Sequence, residues 1–175
     1  ENQTTTLPAD SSKLNQIATM AYVDGTYDEI EDIIVSLGYT ATQISYADLQ
    51  NMTTISQYDI IFLNCGSRPN NITAADQVVY DNLGTFVSNG GSLYASDWSV
   101  AYLVGGTQNT TMCNASGGFI PDSKLCSQNT GSSGILQAMI PNTNLSTALG
   151  FSTLDINYDL GAWQKIINYD PTYWD

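Results

Sequence analysis

The sequence predicts an α/β domain: a three-layer sandwich around a mostly parallel central sheet. Short, near-continuous apolar runs recur at 16–23, 58–64 and 91–96, as expected for strands buried on both faces. Segments with helical apolar spacing alternate with them, which is the pattern of βαβ units joined by right-handed crossovers. A length of 175 residues suits one domain with a sizeable core.

The elements follow in order. Residues 1–13 (ENQTTTLPADSSK) are polar and without period, and read as a tail or linker; the single domain then runs over 14–175. Residues 16–23 (QIATMAYV) form the first strand, ended by Asp24-Gly25. Thr26 and Glu29 have capping-box spacing, and Ile30, Ile33, Ile34 and Leu37 make one apolar stripe. With Gly38 as the stop, this predicts a helix over 27–37. Residues 40–45 read as the second strand, 46–57 as a weak helix or turn, and 58–64 (YDIIFLN) as a central strand. Thr73 caps a second helix with Asp76 in its first turn, a stripe of Val79, Leu83, Phe86 and Val87, and Gly90 as its end. Residues 91–96 (GSLYAS) are the next strand and 98–103 a short helix. Residues 104–134, rich in Gly, Ser, Thr and Asn, break the alternation and read as a surface excursion. Residues 135–140 return to strand, 144–150 to a helical turn and 152–158 to an edge strand. The last stretch, AWQKIINYDPTYWD, gives no stop signal and reads as a chain cut short of its last strand.

Composition narrows the function. Net charge is −13, and the basic residues are Lys13, Arg68, Lys124 and Lys165, too few and too scattered to track a phosphate backbone. Nucleic acid is excluded as a partner, and an anionic membrane should repel the chain. No run of 18 apolar residues is present, so this segment is not expected to insert in a membrane. There is no histidine. That removes the usual general base, the Ser-His and Cys-His pairs and the commonest metal ligand, so neither a metal nor another cofactor is expected. Asp155-Ile156-Asn157-Tyr158-Asp159-Leu160-Gly161 mimics a calcium loop, but its glycine is one place late and no glutamate follows at the twelfth position.

Charged residues are only 12% of the chain, against about 25% for an ordinary domain. Asn-x-Ser/Thr occurs at Asn2, Asn51, Asn71, Asn109, Asn114 and Asn144. Cys113 and Cys126 lie in one irregular stretch and could close a short loop, worth about 3 kcal/mol in an oxidising compartment. Cys65 then remains as a buried thiol. Together these features predict a secreted or cell-surface glycoprotein. Self-assembly, other surface proteins and glycans are the partners such a chain would meet.

Two stretches carry a family likeness. YDIIFLNCGSRPN resembles the strand and glycine loop that supply the oxyanion hole in the class I glutamine amidotransferase-like superfamily. GGSLYASDWSVAYL resembles that family's nucleophile elbow. The resemblance covers roughly 16–103 and, more weakly, 135–165. It implies a flavodoxin-like, amidotransferase-like strand order. Gly66 falls on the loop glycine, Ala95 on the small residue before the elbow, Asp97 on the catalytic cysteine and Ser99 on the glycine after it. With a carboxylate at the attacker's place and no histidine, the resemblance implies retained architecture without glutaminase chemistry, hence no catalytic residue.

Asp24, Asn64, Ser67, Ser96, Asp97 and Trp98 all fall at the carboxyl ends of predicted parallel strands, where open α/β sheets bind ligands. They are the candidate ligand-binding residues; the competing reading makes them strand-end turns, with Asp97 the N-cap of the next helix. Three functions follow: a non-catalytic structural, adhesion or assembly domain; a module binding carbohydrate or a small ligand at the strand ends; or a carboxylate-dependent hydrolase.

Overall fold

The structure, a computed structural model, describes residues 17–67, 74–106, 117–159 and 161–173. Its centre is a parallel sheet of β1 (Met20–Val23), β2 (Thr42–Ile44), β3 (Ile60–Leu63) and β4 (Ser92–Ala95), in the order β2-β1-β3-β4. The register aligns Val23 with Ile44 and Leu63, and Leu63 with Ala95. The α/β class is as expected.

The strands alternate in burial. Ala21, Val23, Ile44, Ile61 and Leu63 point to one face and are buried there. That face is covered by a 3₁₀ turn (Asp48–Gln50), α2 (Met52–Ile55) and α3 (Ala74–Ser88), which add Leu49, Ile55, Val79, Leu83 and Phe86 to the same core. Each such side chain contributes roughly 1.5–3 kcal/mol when fully buried. Val87, expected in the α3 stripe, instead stays 39% exposed: at 3.6 residues per turn it lies about 80° round the helix from Val79, at the stripe's edge.

α1 (Ile30–Ser36) is shorter than the sequence predicts. The Thr26–Glu29 capping box does not form. The Thr26 and Tyr27 N–H groups instead donate to Cys65 O at 2.9 and 3.2 Å, which ties the loop after β1 to the end of β3. Gly25 permits this approach, since a Cβ there would stand 2.4 Å from Cys65 O. The other end behaves as expected: Gly38, at φ +82°, closes α1 with Gly38 N–H to Val35 O and Tyr39 N–H to Ile34 O, a Schellman motif.

After β4 the chain turns through a 3₁₀ segment (Asp97–Val100) into α4 (Ala101–Val104). Beyond this point three expectations are corrected. The excursion at 104–134 contains a strand, β5 (Leu125–Asn129), whose Leu125, Cys126 and Ser127 are buried. The segment read as cut short contains β8 (Gln164–Tyr169), which pairs antiparallel with β5. The expected strands β6 (Gly134–Met139) and β7 (Thr153–Tyr158) exist, but they pair antiparallel with each other outside the parallel sheet. β5 to β8 thus fold as one ribbon, with α5 (Thr143–Leu149) at its tip. The ribbon bends where Gly131 N–H donates to Trp163 O and Ala162 N–H to Gly131 O. Cys126 is disulfide-bonded and Cys65 is a buried free thiol; Cys113, the expected partner of Cys126, lies outside the described residues, as do the tail at 1–13 and Thr73.

Candidate functional site

The ends of β1, β3 and β4 converge under the bend of the ribbon, and a crevice of about 370 Å³ lies between them. Tyr27, Asp28, Cys65, Ser96 and Asp97 line it from the sheet. Asn157, Tyr158, Asp159, Trp163 and Gln164 line it from the ribbon.

Asp97 is the pivot. It sits between the end of β4 and the 3₁₀ turn with φ at +43°, a left-handed conformation that side-chain-bearing residues rarely hold. Ser96, not Asp97, is the N-cap of the following turn. Asp97 Oδ1 accepts the Gln164 N–H at 2.6 Å and so fastens the ribbon to the corner; Oδ2 faces the Cys65 thiol at 3.5 Å. Burial pushes the Asp97 carboxyl above its ordinary range, against the pull of the Gln164 N–H.

Cys65 is held as firmly. Its N–H donates to Asp28 Oδ1 at 2.5 Å, and its sulfur accepts the backbone N–H of Trp98. Burial, with Asp97 and Asp28 nearby, pushes the thiol up to about 12, so it stays protonated at neutral pH. Behind it Asn64 is fully buried and donates to Glu31 Oε2 at 2.8 Å and Asp28 O at 3.3 Å, leaving its Oδ1 without a hydrogen-bond partner.

The other candidates take different places. Ser67 meets Ser99 Oγ at 3.3 Å and the Tyr102 hydroxyl at 3.4 Å, and Ser99 Oγ donates to Asn64 O at 2.6 Å. Trp98 stands against the ribbon: its indole N–H donates to Ala162 O at 2.9 Å, and its ring meets Tyr27 edge-on at 5.2 Å. Asp24 stays exposed after β1 and does not line the crevice. The sheet therefore brings Ser96, Asp97 and Cys65 to one cavity and sets Asn64, Ser67 and Trp98 in its supporting wall.

Sequence reasoning missed the ribbon's half. Tyr158 and Trp163 stack at 4.3 Å with an interplanar angle of 11°, and Lys165 Nζ lies 5.2 Å over the Trp163 ring. Two signals lay there: the stretch 155–161 that mimics a calcium loop, and a cluster of aromatic, acid and amide residues at 157–164 without a period. Among the described residues no group of three or more His, Cys, Asp or Glu could hold a metal ion, and no helix is long and apolar enough to cross a membrane. Of the six sequon asparagines, Asn51 and Asn144 are described, and both are exposed; Asn2, Asn71, Asn109 and Asn114 lie outside the described residues. The chain matches no family model, no curated protein and no solved structure.

Proposed function

We propose that this is a non-catalytic, amidotransferase-like domain of a secreted or cell-surface glycoprotein that binds a carbohydrate or similar neutral polyol in the strand-end crevice. The observation that carries the reading is the crevice's lining: the aromatic rings of Tyr27 and Tyr158 beside the carboxylates of Asp28 and Asp159. Rings offer apolar faces to the C–H side of a sugar, and carboxylates accept its hydroxyls.

The architecture supports the amidotransferase-like half of the reading. The order β2-β1-β3-β4 is that of the first four strands of a flavodoxin-like sheet. If the β1-to-β2 crossover follows the right-handed rule, α1 lies on the face opposite α3, as a three-layer arrangement requires. The strained φ falls on Asp97, the residue placed at the elbow, and an elbow's attacker sits on such a strained turn. Absence of turnover is supported by how the corner is used. Both Asp97 oxygens are engaged, and the Trp98 N–H, the donor an oxyanion would need, is given to the Cys65 sulfur.

A glycan-array screen of the intact chain tests this, followed by titration of the best neutral glycan against Tyr27→Ala. The Tyr27 ring is 51% exposed, so its removal should spare the fold. Loss of its stacking predicts about two- to twelvefold weaker binding. No binding to any neutral glycan, or equal binding by the variant, would refute the crevice as a sugar site and leave a purely structural role.

A further inference from the structure

The β6–β7 ribbon carries a second inference, independent of the crevice. Neither strand has a buried residue, and neither does α5. A two-stranded ribbon standing free in water is only marginally stable. Ile135 and Met139 are 70% and 79% exposed, and Leu136 and Leu154 are 45% and 48% exposed. Yet residues 125–154 contain no Asp, Glu, Lys or Arg, in a chain of net charge −13. Two copies of this chain repel each other over most of their surfaces. The uncharged β6 strand is where they can touch without that cost.

The backbone says how. Ile140 N–H donates to Ser152 O, and Met139 pairs with Thr153. Antiparallel alternation then turns the N–H and C=O groups of Leu136 and Ala138 toward β7 and leaves those of Ile135, Gln137 and Met139 on the outer edge. This edge has no proline, no charge and no bulge, the features that blunt edge strands against pairing. The outer edge of β7, by contrast, carries Asp155 at mid-strand. The three outward residues are symmetric about Gln137. We propose that β6 pairs antiparallel with β6 of a second copy across a twofold axis at Gln137. Ile135 then faces the partner's Met139, and the order becomes β7-β6-β6-β7. The contact is isologous, closes on itself and covers the ribbon's two most exposed apolar side chains.

Sedimentation equilibrium of the full chain and two double variants tests this. The wild type is expected at twice 18.9 kDa. Ile135→Lys with Met139→Lys sets ammonium against ammonium across the axis and should give a monomer. Ile135→Lys with Met139→Glu sets ammonium against carboxylate and should restore the dimer, which a merely damaged ribbon could not do. A monomeric wild type at its solubility limit would overturn the proposal. So would a dimer that survives the Lys/Lys change, since the copies would then use another surface. A Lys/Glu protein that stays monomeric would overturn the antiparallel register.

Discussion

Replacing Asp97 by Ala, Gly and Asn separates backbone strain at the corner from the hydrogen bond that its side chain makes. Asp97 holds φ +43°, where a Cβ costs roughly 1–2 kcal/mol. Ala and Gly both lose the carboxylate that accepts the Gln164 N–H at 2.6 Å, a charged hydrogen bond worth about 1.5–3 kcal/mol, so that loss cancels between them. The remaining difference is the strain that Gly relieves, less about 0.4–1 kcal/mol for its freer unfolded chain. Asp97→Gly should therefore be about 0.5–1 kcal/mol more stable than Asp97→Ala, roughly 1–4 °C in Tm for a domain of this size. Asp97→Asn keeps an acceptor for Gln164, tolerates the left-handed conformation and drops the half-buried charge, so it should exceed both. Calorimetry across pH adds a second readout. The folded pKa of Asp97 is raised, so the folded state holds that proton more tightly than the unfolded chain. Wild-type stability relative to Asp97→Asn should thus rise as pH falls from the raised folded value to the unfolded value of about 3.9, and stay flat outside that window. An Ala variant as stable as the Gly variant would mean that the corner is unstrained, and the elbow reading would go with it.

Two other perturbations test neighbouring parts of the site. Cys65, pushed up to about 12 by burial, should resist alkylation at pH 8 in the folded chain and react at once in denaturant; rapid labelling of native protein, read by mass spectrometry, would contradict its burial. Gly131→Ala would place a Cβ 2.1 Å from the Trp163 ring, so the ring must swing off Tyr158 and forfeit about 0.5–1.5 kcal/mol of stacking; a tryptophan emission spectrum identical to wild type would refute the packing at the ribbon's bend.

The parallel sheet was legible because its strands are short apolar runs and α3 keeps a 3.6-residue stripe, both local signals; of the expected α1 stripe only Ile34 is buried, while Ile33 and Leu37 stay exposed. The capping box failed for a tertiary reason. Thr26 and Glu29 have the spacing, but the Thr26 N–H finds Cys65 O, brought close from far along the chain. The ribbon was illegible for a different reason. β5 (LCSQN) sits in a stretch rich in Ser, Gly and Asn, and its partner QKIINY is a distant segment, so neither shows the pairing alone. The crevice divides along the same line. Ser96, Asp97 and Cys65 follow from the rule that ligands bind at the carboxyl ends of parallel strands. Asn157 to Gln164 reach the same cavity only because the long ribbon folds back and Asp97 Oδ1 catches Gln164 N–H.

Cys65 is the residue through which the two halves of the proposed function, a corner without catalysis and a crevice that binds, meet. In an acyl-transfer elbow the corner needs a free attacker, a proton acceptor and an open backbone donor. Here the Cys65 thiol lies between the residue at the attacker's place and the backbone donor: it faces Asp97 Oδ2 and takes the Trp98 N–H on its sulfur. At about 12 its own titration lies far above neutrality, so it can neither attack nor accept a proton. Burial also penalises any change of charge at Asp97 while a bound ligand excludes water. Under the proposed function, a corner held by these contacts has no attacker to offer and serves as a pre-ordered wall. Rigidity favours recognition, since a pre-ordered wall spends little entropy when a ligand fills the crevice. Under the proposed function, discrimination among ligands then falls to the exposed groups, Tyr27 on the sheet side and Asp159 on the ribbon, rather than to the buried corner.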